Sequence, residues 1–138
     1  MTVTNALQTK ELLDLGLPIE KFDMVRLSHL IKFDGNNFIP KTFADALRFN
    51  YTDEDICCSF EALFDMMPKR IETDEDWYIL RLEPDHEYWA CAYIALNKGE
   101  ALFVGYEDDR ITACFEVVKW LLQRGLIEKK DWIDNEGN

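Results

Sequence analysis

The sequence is poor in the residues on which most enzyme sites depend. It contains two histidines, His29 and His86, in 138 residues. It has no G-x-S-x-G, P-loop or G-x-G-x-x-G motif, so the usual signatures of nucleophilic catalysis, phosphate binding and dinucleotide binding are missing. Ser28 precedes His29, but adjacency in sequence does not produce triad geometry. The sequence therefore gives no catalytic residue, and we expect no cofactor.

Basic residues are also scarce. The chain has 15 lysines and arginines against 27 acidic residues, for a net charge of −12. This balance argues against direct binding to a nucleic-acid backbone. The sequence also lacks an apolar run long enough to cross a membrane, and its start lacks the basic and apolar segments of a secretory signal. We expect a cytoplasmic protein that does not bind membranes.

The four cysteines do not form a C-x-x-C pair. Cys91 and Cys114 lie within strongly apolar segments, where buried and reduced thiols are the natural expectation for a cytosolic chain. Cys57 and Cys58 are adjacent, and a helix would direct their side chains apart, which disfavours a redox role. No metal site is predicted from these cysteines.

Apolar residues make up 48% of the chain and aromatic residues 13%, which favours one folded domain over residues 1–138. Within it we distinguish an N-terminal helical segment (1–33), a core (34–125) and a charged tail (126–138).

Three strands are predicted in the core, at Trp77–Leu82, Tyr88–Leu96 and Ala101–Tyr106. Their connections are short, which favours an antiparallel meander. The second and third strands carry apolar residues at both odd and even positions, so both faces of the sheet are expected to be covered. The sequence therefore predicts an α+β fold, with an antiparallel sheet of three to four strands covered by helices on both faces, an α/β/α sandwich.

Two helices are predicted as the covering layers. Apolar residues recur at helical spacing from Ile111 to Leu122, so one helix is expected over Asp109–Arg124, with Gly125 just beyond its end. The other is expected over Asp53–Met67, with Thr52 and Asp55 as a variant of the capping box.

The N-terminal third is predicted with less regular patterns. A first helix is expected to begin at Thr4 or Thr9 and to end near Leu15, before Gly16 and Pro18. A second helix is predicted over Ile19–His29. A small hairpin is expected over Leu30–Ile39, and a short helical turn follows from Thr42 to Leu47.

Two segments resemble a known family. Tyr51-Thr52-Asp53 followed by Ile56 is similar to a helix entry of the phage α/β/α-sandwich domain family. The segment Ile111–Lys119 resembles that family's final helix, although Phe115-Glu116 replaces Arg-Ala. The resemblance covers roughly residues 34–125. It implies a small phage or prophage protein without an assigned activity, and it brings no site residues with it.

Carboxylates are concentrated at the predicted ends of strands. The candidates for partner binding are Asp85, Glu87, Glu107, Asp108 and Asp109. Charge of this kind speeds encounter with an oppositely charged surface, so a basic protein is the expected partner, and a decoy that imitates nucleic-acid charge is a sharper version of the same idea. The alternative is a small enzyme with a carboxylate or metal site near the strand ends. Homo-oligomer formation stays open.

Aromatic residues are dense in the meander. On a sheet covered by helices, such residues are expected to form the core. An uncovered corner of the sheet would instead leave an aromatic patch for a partner. The aromatic residues concerned are Trp77, Tyr78, Tyr88, Trp89, Tyr93, Phe103 and Tyr106.

Overall fold

The computed structural model describes residues 3–27 and 37–127, which form helices and strands in the order that follows. The elements are α1 (Ala6–Asp14), a 3₁₀ turn (Ile19–Lys21), β1 (Met24–Arg26), β2 (Phe38–Pro40), α2 (Lys41–Ala46), β3 (Ile56–Cys57), α3 (Phe60–Met66), β4 (Arg70–Glu72), β5 (Trp77–Asp85), β6 (Tyr88–Ala95), β7 (Glu100–Glu107) and α4 (Arg110–Gln123). None of the helices in these ranges is long and apolar enough to cross a bilayer.

The predicted meander is the centre of a four-stranded antiparallel sheet with the order β4-β5-β6-β7. Strand β4 was not predicted, because it lies in a polar segment where only Ile71 is buried. Strand β5 continues through Pro84, which has no N–H to donate. This is tolerated because β4 pairs only as far as Ile79, so Pro84 has a free edge on that side.

Helix α4 lies at the centre of the molecule. Its buried residues form one broad side, as expected for a helix that contacts several elements, and Thr112, Glu116 and Lys119 lie on the opposite side. It packs on β6 and β7 on one side and on α3 and α1 on others. Asp109 caps its N-terminus, and Gly125 follows with a φ of +68°, as the sequence predicts. The buried residues of α4 are Ile111, Ala113, Cys114, Phe115, Val117, Val118 and Leu121.

The helix predicted over Asp53–Met67 is wrong in its first half. The Thr52 N–H does donate to the Asp55 carboxylate at 2.9 Å, but this contact closes a turn. Residues Ile56–Cys57 then form β3, which pairs with β1, and the helix begins after Ser59. Strand pairing with β1 satisfies the backbone there, so the local capping signal does not decide the structure.

The helix predicted over Ile19–His29 is also wrong over residues 19–27, and Ser28 and His29 lie outside the described residues. After the 3₁₀ turn, Met24–Arg26 forms the central strand of a second, three-stranded sheet with the order β2-β1-β3. In the predicted hairpin, Phe38–Pro40 is a strand, but it pairs with β1. The first strand of that hairpin, at Leu30–Phe33, lies outside the described residues, as does the tail from residue 128. The first helix and the short helix near Thr42 are confirmed, although Asn5 and Pro40 are their N-cap residues.

The predicted α+β class with an antiparallel sheet is confirmed. The helices differ from the expectation in their placement, because α3 packs against α4 and α4 lies against one face of the four-stranded sheet. Four large side chains on the opposite face are between 44% and 48% exposed. We call this second face the open face; its exposed large residues are Trp77, Tyr88, Val104 and Tyr106.

Candidate functional site

Four of the five candidate carboxylates lie at one end of the four-stranded sheet. Asp85 ends β5 opposite Tyr88, and Glu87 lies in the turn between these two residues. Glu107 ends β7 opposite Trp89, so the end of β7 lies beside the β5–β6 turn, and Asp108 follows it. Glu87 and Asp108 are exposed. We call Asp85, Glu87, Glu107 and Asp108 the acidic end of the sheet.

Asp109, the fifth candidate, is held by the helix that follows. Its carboxylate accepts hydrogen bonds from the Thr112 N–H at 2.7 Å and from the Thr112 hydroxyl at 3.0 Å. This is the usual role of an aspartate at a helix N-cap, where its charge also interacts favourably with the helix dipole. Asp109 is therefore committed to α4, and the acidic end consists of the other four residues.

Two tyrosines lie on the open face beside the acidic end. The rings of Tyr88 and Tyr106 have centroids 5.1 Å apart, and both side chains are almost half exposed. The Tyr106 hydroxyl donates to the Asp85 carboxylate at 3.1 Å, which ties the end of β7 to the end of β5. Partial desolvation and this hydrogen bond raise the pKa of Tyr106, which favours the protonated phenol that donates to Asp85.

Two arginines near the acidic end, Arg81 and Arg110, have partners outside it. Arg81 donates two hydrogen bonds to Glu83, from Nε at 2.9 Å and from Nη2 at 2.6 Å. The Arg110 guanidinium lies 4.3 Å from the centre of the Phe60 ring. His86 is 3.7 Å from the Asp85 carboxylate and is highly exposed. The acidic end therefore presents a net negative surface to solvent.

The aromatic residues of the meander divide between the core and the open face. Tyr93 and Phe103 pack against Trp120 of α4, and the Tyr93 hydroxyl donates to the Pro68 carbonyl at 2.7 Å. Trp77, Tyr88 and Tyr106 point to the opposite face and are exposed. An aromatic patch of the kind expected for an uncovered part of the sheet is therefore present.

The signal that could have revealed this open face lies in β5. Its residues alternate between apolar side chains toward α4, such as Leu80 and Leu82, and charged side chains on the other face, such as Arg81 and Glu83. Alternation of this kind is typical of a sheet with one solvated face. In β6 the signal is hidden, because Ala90 and Ala92 are small and are shielded by neighbouring strands.

Two observations bear on metal binding and on the thiols of the described residues. Within these residues, no three histidine, cysteine or acidic side chains are grouped so that they could hold a metal ion. Burial raises the pKa of the Cys57 thiol to about 11 and that of Cys58 well above its ordinary value. A hydrogen bond with Cys91, together with burial, raises the pKa of Cys114. These three thiols are therefore protonated and poorly nucleophilic near neutral pH.

One hollow of the described structure lies away from the four candidate residues of the acidic end. It has a volume of about 620 Å³ and lies between the end of α3, strand β4 and the segment after α4. Met66, Met67 and Ile71 form its apolar floor, and Lys69 and Arg70 line it as well. This hollow does not include the carboxylates or tyrosines described above.

No family model, no curated protein and no solved structure matches this chain.

Proposed function

We propose that this chain is a protein-interaction module of the phage or prophage type implied by its resemblance, and that it binds a basic protein through the acidic end of the sheet. The observation that carries the proposal is that Asp85, Glu87, Glu107 and Asp108 lie at the same end of the sheet as the exposed Tyr88–Tyr106 pair. A lysine or arginine of the partner would meet carboxylates and aromatic rings at the same place.

The two kinds of side chain have different effects on binding. Exposed carboxylates raise the rate of encounter with a basic surface but contribute little to the affinity, because water and salt screen them. Tyrosines at an interface bury a large area at low cost in conformational entropy, and their ring faces attract arginine and lysine. We therefore expect the acidic end to govern the association rate and the tyrosines to govern the dissociation rate.

The net charge of the whole chain supports a basic partner over a nucleic acid. A charge of −12 on one small domain repels a phosphate backbone and attracts a basic surface. This attraction depends on ionic strength, because the screening length is roughly 8 Å at 0.15 M salt.

The test begins with affinity capture of a partner from the native host, followed by its association rate at several salt concentrations. The rate is expected to fall markedly as salt rises through about 0.15 M. Replacing three acidic-end residues, as Glu87→Gln, Glu107→Gln and Asp108→Asn, should slow association further. The matched control removes the same charge elsewhere, as Asp53→Asn, Glu54→Gln and Asp74→Asn, all of which are exposed.

Two results would contradict the proposal. If both triple variants slow association equally, the acidic end has no special role and only the total charge matters. If the protein binds duplex DNA tightly and the association with the basic partner is indifferent to salt, the partner class is wrong.

A further inference from the structure

Strand β7 is an edge strand of eight residues. Its inner edge pairs with β6, and within residues 3–27 and 37–127 no strand pairs with its outer edge. An exposed strand edge presents unpaired N–H and C=O groups, and proteins usually protect it with proline, lysine or a charge pointing inward. Strand β7 has none of these between Ala101 and Tyr106.

The other strand edges of the two sheets are shorter or contain a proline, as does the unpaired part of β5 beyond Ile79, which contains Pro84. Strand β4 has three residues and carries Arg70 and Glu72 on either side of Ile71. In the smaller sheet, β2 ends in Pro40 and β3 has two residues. The pairing of β6 with β7 has one irregularity, near Ile94, and the register from Phe103 to Glu107 is continuous. These five residues of β7 therefore offer the longest regular edge without a proline among the described strands.

Two contacts with α4 fix the position of β7. Phe103 stacks on Trp120 of α4 with ring centroids 4.9 Å apart. Gly105 approaches the backbone of α4 at Ala113 so closely that a Cβ would collide with it. A strand fixed in this way does not need to be ordered when a partner binds, so the entropic cost of binding falls mainly on the partner.

The charges of β7 argue against a second copy of this chain as its occupant. Full antiparallel pairing of two β7 strands would place Glu100 of one strand opposite Glu107 of the other, at both ends of the pair. Like charges directly opposite each other destabilise a strand pair. Each copy also carries a net charge of −12. The same glutamates would instead form cross-strand ion pairs with lysine or arginine.

We propose that the outer edge of β7 accepts an extended segment of a basic protein as a fifth strand of the sheet. Main-chain hydrogen bonds to β7 provide affinity, and alternate side chains provide specificity. One set of these side chains lies beside Val104 and Tyr106 on the open face and is apolar or aromatic. A lysine or arginine at the end of the segment lies beside Glu107 and Asp108. This inference rests on the proposed function and gives its mode of recognition.

The test uses a panel of synthetic eight-residue peptides in which lysine or arginine alternates with valine or tyrosine, acetylated and amidated at their ends. Binding to the full chain is measured by titration calorimetry, and backbone amides are followed by NMR. We expect binding with changes in amide shift and slower amide hydrogen exchange in β7, whereas the amides of β4 stay unchanged.

Backbone methylation of the peptide gives a sharper comparison. In an extended strand, the N–H groups of odd residues point to one edge and those of even residues to the other. Two versions of the best peptide are made, with N-methyl groups on either odd or even residues. We expect one version to bind at least tenfold more weakly and the other to bind within about twofold of the parent.

The outcomes separate the inference from the proposed function. If no peptide of the panel binds, or if both methylated versions lose affinity or both keep it, strand addition is wrong. If peptides bind only through the acidic end, with no change in exchange at β7, the proposed function stands without this inference. If the acidic-end triple variant associates with the peptides as fast as the unaltered chain while β7 amides are protected, the edge binds a strand, and the proposed role of the acidic end is wrong.

Discussion

Gly105 of β7 and Ala113 of α4 are in such close contact that a Cβ at position 105 would lie 2.4 Å from the Ala113 carbonyl oxygen. The colliding group belongs to the backbone of the central helix, so no side-chain rotation can relieve the contact. Glycine at this position brings β7 directly onto α4. The position of the β7 edge and of the acidic end next to it therefore depends on the absence of a side chain at Gly105.

We predict that Gly105→Ala destabilises the fold by about 2–3 kcal/mol, because overpacking against a rigid element forces the backbone to move. Urea denaturation followed by circular dichroism measures this change. Val104→Ala, one residue away on the open face, serves as the control and should cost less than about 1 kcal/mol. A Gly105→Ala variant as stable as the original would show that β7 and α4 are farther apart than described.

A second prediction concerns Ser59, which caps helix α3. Its hydroxyl accepts from the Ala62 N–H at 3.1 Å and donates to Asp23 at 2.5 Å, and its own N–H donates to the same carboxylate at 2.8 Å. Ser59→Ala should reduce the free energy of unfolding by about 1–2 kcal/mol, as for other lost N-caps.

The control for this variant is Thr73→Ala. The Thr73 hydroxyl accepts from the N–H groups of Glu75 and Asp76, but in an exposed turn outside any helix, where water replaces it. Denaturation midpoints should therefore fall clearly for Ser59→Ala and little for Thr73→Ala. A loss of stability in Ser59→Ala as small as the loss in Thr73→Ala would mean that the cap and the link to Asp23 do not stabilise α3.

The strands and the last helix were predictable because each has a continuous pattern of its own. Ile111–Leu122 repeats at helical spacing, and the three strands of the meander are bounded by turns. What could not be predicted depends on pairing between distant segments. Met24–Arg26 and Ile56–Cys57 are too short to signal strands locally, and they become strands because they pair with each other. Thr52 and Asp55 show that a local signal alone does not decide the structure, because their hydrogen bond forms but no helix begins at these residues.

The candidate site was predictable in its residues but not in its setting. The predicted strand ends indicated the four residues Asp85, Glu87, Glu107 and Asp108. The short turns between the strands place these residues at one end of the sheet. The open face was missed because it follows from which side of the sheet α4 occupies. The side that α4 occupies is set by packing between elements. In the sequence it is marked only by a glycine at position 105, where a side chain would collide with α4.

A third prediction concerns His86, in the turn between β5 and β6, which has a φ of +58°. A residue with a side chain in this region is strained by about 1–3 kcal/mol. Glycine removes the strain, although the greater entropy of the unfolded chain offsets about 0.5–1 kcal/mol of the gain. His86→Gly should therefore stabilise the protein by about 0.5–1 kcal/mol, measured by urea denaturation.

The neighbouring residue provides the control for His86. Glu87 occupies the same turn but has no positive φ, so Glu87→Gly should destabilise the fold by about 0.5–1 kcal/mol. Loss of stability in both variants would show that the backbone at His86 is not strained. The His86→Gly variant keeps all four carboxylates of the acidic end, so its association with a basic partner should be unchanged.

The last prediction follows from the buried thiols. Burial raises the pKa of Cys57 to about 11, and the pKa values of Cys58 and Cys114 are raised as well. In the unfolded chain these thiols ionise near their ordinary pKa of about 8.5. Above that pH the unfolded state has lost protons that the folded state keeps, so the free energy of unfolding falls as pH rises. The stabilisation is complete below the unfolded pKa, and the part due to Cys57 is lost between the two pKa values.

Urea denaturation at intervals from pH 7 to pH 9.5 measures this dependence below the range in which lysines and exposed tyrosines titrate. We expect a flat profile up to about pH 8 and a steady decline beyond it. Cys57→Ala should make the decline less steep, because one raised thiol is removed. The comparison uses the slope with pH, so any loss of packing in the variant does not affect it. A decline of the same slope in both proteins would show that Cys57 ionises alike in the folded and unfolded states.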